Sequence, residues 1–101
     1  MEEQAVIQLI NQVHQLQRKL NRVDETGTTS RQIERIMDIF AESGYLVDNP
    51  LGQHYDGTRT DLAVTFGSRT TGTMITDVLK PVIYRQEEGE SKLLQIGVVL
   101  I

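Results

Sequence analysis

Apolar positions along this chain change period once. From Val6 to Val23 they fall at Val6, Leu9, Val13, Leu16, Leu20 and Val23, in steps of three, four, three, four and three. This is a heptad seam, with Val6, Val13 and Leu20 at one core position and Leu9, Leu16 and Val23 at the other. Such a seam asks for a partner helix, so these six residues are the expected dimerisation surface. Ile7 and Ile10 widen the stripe, which suits a bundle better than a bare two-stranded coil. The alternative is a helix that folds back on its own domain.

Asp24 to Ser30 reads as a linker that ends in capping residues: Thr29 with Gln32 has capping-box spacing and Ser30 is a competing cap. A second helix is expected from about Arg31, with Ile33, Ile36, Met37 and Phe40 on its apolar face. Its wet side carries Arg31, Glu34, Arg35, Asp38 and Glu42, and Gly44 stops it as a left-handed C-cap.

From Tyr45 onward the apolar residues tend to alternate. Tyr45 to Val47 predicts a short strand, and residues 48 to 60 a loop with two reversals, at Pro50-Leu51-Gly52 and Asp56-Gly57. Leu62, Val64 and Phe66 mark a half-buried strand. Gly67 to Thr73 is a glycine- and threonine-rich loop. Pro81, which cannot donate to a ladder, splits the run from Met74 to Arg85 or sets it at an edge. Glu87 to Glu90 turns the chain, and Lys92 to Ile101 closes it, with Gly97 at a bulge or close approach. Strands after helices, without βαβ alternation, predict α+β. The expected layout is a helical dimerisation region over residues 1–43 and a small antiparallel β-domain over 44–101.

Composition narrows the function classes. The 101 residues support one domain at most, with 39% hydrophobic and 24% charged residues. A net charge of -4 argues against phosphate-backbone binding, since the one basic cluster, Arg18, Lys19 and Arg22, runs straight into Asp24 and Glu25. There is no cysteine, hence no disulfide or thiolate chemistry. No run approaches the roughly 18 apolar residues of a membrane-spanning helix, and MEEQAV is acidic where a secretory signal would be basic. The expectation is a cytoplasmic protein without nucleic-acid or membrane partners.

Catalytic constellations are absent from the pattern. His14 falls outside the heptad seam and is expected in solvent. His54 has Asp56 nearby but too few further ligands for a metal site. Asp56 to Asp61 lacks the calcium-loop pattern, and its Asp and Thr side chains are expected to hold the reversal by bonding nearby N–H groups. Gly67 to Gly72 is not followed by the Lys of a phosphate loop. Glu87, Glu88 and Glu90 read as a solvated turn. No nucleophile and base pair is visible, so the chain is expected not to be an enzyme and to use no metal or cofactor.

The order of segments resembles the GrpE family, the nucleotide exchange factors of DnaK-type chaperones. Tyr45 to Gly52, YLVDNPLG, is similar to the family's short strand leading into a Pro-x-Gly turn. Tyr55 to Asp61, YDGTRTD, resembles its Phe-Asp-Pro-Asn-x-His-Glu segment; Gly72 to Leu79 is similar to its Gly-Thr and Val-rich strand, and Lys92 to Ile101 to its closing strand. Thr60 stands where the family has His, Val82-Ile83 where it has Gly-Tyr, and Gln95-Ile96-Gly97 where it has Arg-Pro-Ala. The first helix is also shorter than the family's long arm.

The resemblance implies a homodimer that inserts a β-domain as a wedge, binding the opened nucleotide cleft of the chaperone better than the closed one. The implied partner-binding residues are Tyr55, Asp56 and Arg59 of the double turn, with Arg69 and Lys80 on the sheet. The alternative keeps the layout and drops the chaperone: a dimeric scaffold or adaptor whose β-domain binds another protein.

Overall fold

The computed structural model describes residues 1–23, 28–65 and 73–101. The linker core at 24–27, Phe66 and the loop at 67–72 with Arg69 lie outside the described residues, as do the side chains of 21–23 and Thr28. The chain is α+β. Helices α1 (Glu3–Val23) and α2 (Thr28–Glu42) precede β1 (Tyr45–Asp48), β2 (Leu62–Thr65), β3 (Asp77–Lys80), β4 (Val82–Glu87), β5 (Glu90–Gln95) and β6 (Gly97–Leu100). Helix α2 begins three residues before the expected start, since Thr and Ser enter a first turn at modest cost. It ends as expected: Gly44 takes φ 91° and its N–H reaches the Ala41 carbonyl at 3.0 Å.

The backbone of the β-region is one long hairpin bent in the middle. Its outer half pairs β4 with β5 and its inner half pairs β3 with β6. The turn between β4 and β5 is tight because Glu88 and Gly89 both take positive φ, 49° and 81°, the twist that matches two antiparallel strands. At the bend, Pro81 interrupts one arm and Ile96 the other, with Gly97 opening β6. A Cβ on Gly97 would lie 2.8 Å from Leu62 Cδ2 and 2.9 Å from Val82 Cγ2, so the missing side chain is what lets the arms fold over each other.

Each half gains one further strand. β1 adds antiparallel to β4, giving the order β1-β4-β5, and β2 adds to β6, giving β2-β6-β3. The β2–β6 pair is parallel, with Leu62 opposite Gly97 and Thr65 opposite Leu100. The expected antiparallel β-domain therefore holds one parallel pair among antiparallel ones. The long excursion through β3, β4 and β5 supplies the crossover that a parallel pair needs.

Two apolar clusters result. One lies in the inner half, around Leu62, Ile75, Val78, Val82, Val99 and Ile101. The other joins the first helix to the outer half: Val6 and Ile10 pack on Tyr45 and Ile83, with Phe40 of α2 against them. This second cluster corrects the heptad reading of α1. Val6 and Val13 are buried in the chain's own core, while Leu9 and Leu16 stay 43% and 55% exposed and Leu20 is half-buried. A three-four spacing serves a helix lying on a sheet as well as it serves a coil, and here the apolar arc centres on Ile10, fully buried, which the heptad count left beside the seam. Residues on both sides of position 43 thus share one core.

Candidate functional site

The double turn at 48–60 is pinned to residues 73–75. Gly52 N–H donates to the Ile75 carbonyl at 3.0 Å, Ile75 N–H to Gln53 at 2.9 Å and Tyr55 N–H to Thr73 at 2.7 Å. Gly52 and Gly57 take φ 82° and 83°, the left-handed conformation that both reversals require. Asp56 accepts from the Thr58 hydroxyl at 2.6 Å and its backbone N–H at 2.9 Å, so the acid holds the second reversal. These bonds lower the Asp56 pKa, with the hydroxyl contributing most.

The structure places the proposed partner-binding residues in different settings. Asp56 is exposed, Tyr55 is half-buried against the inner core, and Lys80 is exposed on β3. Arg59 is engaged within the chain. Its Nε and Nη2 each donate to an Asp61 oxygen at 2.9 Å, and Nη2 also reaches Asp48 at 2.8 Å. The Tyr84 hydroxyl donates to Asp61 Oδ2 at 2.6 Å. The guanidinium and the tyrosine hydroxyl together hold the Asp61 carboxyl down at about 2, and Asp61 in turn raises Tyr84. Arg59 therefore braces the loop against β4, and its charge is matched inside the chain.

Tyr84 is also the middle of an apolar row. In the register of β1-β4-β5, Leu46 lies opposite Tyr84 and Tyr84 opposite Leu93, so the three share one face. Leu46 and Leu93 are 36% and 42% exposed. The face on the other side of the strands, with Tyr45 and Ile83, is the one covered by α1.

His14 is in a setting that sequence reading missed. Expected in solvent, it is 1% exposed, beneath α1 and against β3. Its Nε2 lies 2.7 Å from the Val78 carbonyl, which can only accept, so Nε2 carries the proton. Nδ1 is buried and has no hydrogen-bond partner among the described residues. One turn on, Arg18 Nε donates to Asp77 Oδ1 at 3.1 Å, and Gln15 donates to the Leu79 carbonyl at 2.9 Å. These polar groups clip α1 along β3 beside a cavity of about 260 Å³ that Asn49, Leu51 and Thr76 also line. The signal was a helical wheel centred on Ile10, which puts His14, four residues on, inside the buried arc.

Burial lowers the His14 pKa, helped by Arg18, while the Val78 bond and Asp77 oppose it. A depressed folded-state pKa means that the unfolded chain takes up the proton first. Stability is then fully present above the unfolded value of 6.5 and is lost as pH falls below it. The urea midpoint is expected to drop between pH 7.5 and 5.5, and His14→Gln, which can still donate to Val78, to flatten that drop.

Among the described residues no catalytic set comes together, and Nδ1 of His14 is shut away from solvent. His54 is exposed, with Nδ1 3.4 Å from the Thr73 hydroxyl. Among the described residues, no three His, Cys, Asp or Glu side chains gather where a metal could bind. No described helix is long and apolar enough to cross a membrane. No protein-family model, curated protein or solved structure matches the chain.

Proposed function

We propose that this chain is a non-catalytic adaptor that binds another protein through its β-region, working in the cytoplasm. The observation that carries this reading is the row Leu46, Tyr84, Leu93, whose two leucines stand in water on the edge strands of the sheet β1-β4-β5. The double turn beside it is tied to the row through Asp61 and Tyr84. A surface held in place in this way loses little freedom on binding, which favours affinity. Asp56 at the exposed reversal adds a polar contact at the rim.

A more specific form follows from the GrpE resemblance, in which the partner is a DnaK-type chaperone and the β-region wedges its nucleotide cleft open. The order of helices and β-region supports it, and so does the exposure of Asp56 at the tip of the double turn. Affinity capture from extract of the chain's own cells, comparing wild type with Leu93→Asp, tests the adaptor. A protein retained by wild type and lost with the variant is the expected result; equal recovery by both removes the row as the binding surface. A stopped-flow measurement of ADP release from the cognate chaperone tests the specific form, which an unchanged rate removes.

A further inference from the structure

The outer side of α2 carries charges in an order that is its own complement. Arg31, Arg35, Asp38 and Glu42, spaced four, three and four, lie along one line of the helix, basic in its first half and acidic in its second. All four are exposed, and among the described residues none of them is in an ion pair. Neighbours four apart have the same sign, and within one copy only Arg35 and Asp38 of the line, three apart, are opposite neighbours. Beside the line, Ile36 and Ile39 are 39% and 55% exposed, at the edge of the apolar face whose Ile33 and Phe40 are taken into the chain's own packing.

We infer that α2 pairs with the α2 of a second copy, antiparallel, around Ile36 and Ile39. A two-fold axis near the middle of the helix sets Arg31 against Glu42 and Arg35 against Asp38 of the other copy, twice over, because an isologous interface repeats every contact. A parallel pair would instead set arginine beside arginine. The sequence of signs thus selects both the occupant, another copy of this chain, and its direction. It also moves self-association from the α1 seam, of which Val6 and Val13 are core, to α2. This goes beyond the adaptor role and stands without it.

Light scattering on the full chain is expected to give twice the 11.4 kDa chain mass, and Ile39→Lys to give the monomer mass with unchanged circular dichroism. The pair Arg31→Glu with Arg35→Glu, and the pair Asp38→Arg with Glu42→Arg, are each expected to be monomeric alone and to form a one-to-one complex when mixed. Because the chain has no cysteine, direction can be read by oxidation: Gln32→Cys mixed with Ser43→Cys should give the mixed disulfide. A monomeric wild type overturns the inference. So does a dimer that survives Ile39→Lys and is broken by Leu16→Lys, or one in which Gln32→Cys links to itself.

Discussion

Ile10→Ala is expected to cost about 2–5 kcal/mol, the usual range for truncating a large buried aliphatic side chain. Leu16→Ala, on the same helix and at a position of the heptad seam, should stay within about 0.5 kcal/mol. Ile10 is fully buried between Val6, Tyr45 and Ile83, so alanine there leaves a void between helix and sheet that neither element can close alone. Leu16, 55% exposed, leaves none. For a small domain with about 5–15 kcal/mol in total, the first loss is a large share of stability. Urea unfolding of both variants is the measurement. Equal losses would mean that α1 is not docked through Ile10.

The second large effect concerns acid. Asp61 ionises at about 2 in the fold against 3.8 in the free side chain, chiefly because Arg59 and then Tyr84 bond its carboxylate. A depressed carboxyl contributes stability above its unfolded pKa and loses it as pH falls through the folded one. Its side chain is 16% exposed, so solvent screens it little, and the shift corresponds to about 2 kcal/mol. Stability should therefore fall by about that amount from pH 5 toward pH 2. Asp61→Asn should cost a similar amount at pH 7 and remove that part of the acid limb. Asp48→Asn should cost less than about 1 kcal/mol, since Asp48 makes one bond to the guanidinium and is 41% exposed. Denaturant midpoints across the acid range distinguish these outcomes; an unchanged limb in Asp61→Asn would mean that the brace does not act as described.

The candidate surface was legible only in part. The two reversals at 48–60 were visible because Gly52 and Gly57 occupy positions that few other residues tolerate. Asp56 bonds its own turn as its type and spacing suggest. What Arg59 does was hidden, since Asp48 ends β1 and Asp61 stands just before β2, and only the fold brings the two carboxylates to one guanidinium. Leu46, Tyr84 and Leu93 come from three separate strands, and no spacing in the chain announces them as a row.

Local physics determined where helices and strands lie. The three-four period of α1, the stop at Gly44, the tight turn before Glu90 and the break at Pro81 all act within a few residues, so they can be read in order along the chain. Which side of α1 faces inward was left to tertiary structure, because a heptad stripe meets the needs of a partner helix and of a sheet equally well. The sheet won along Val6, Ile10, Val13 and His14, leaving Leu9 and Leu16 in water. The parallel pairing of β2 with β6 was decided the same way: strand patterns record which residues are apolar, whereas the neighbour each strand takes depends on how distant segments bury one another.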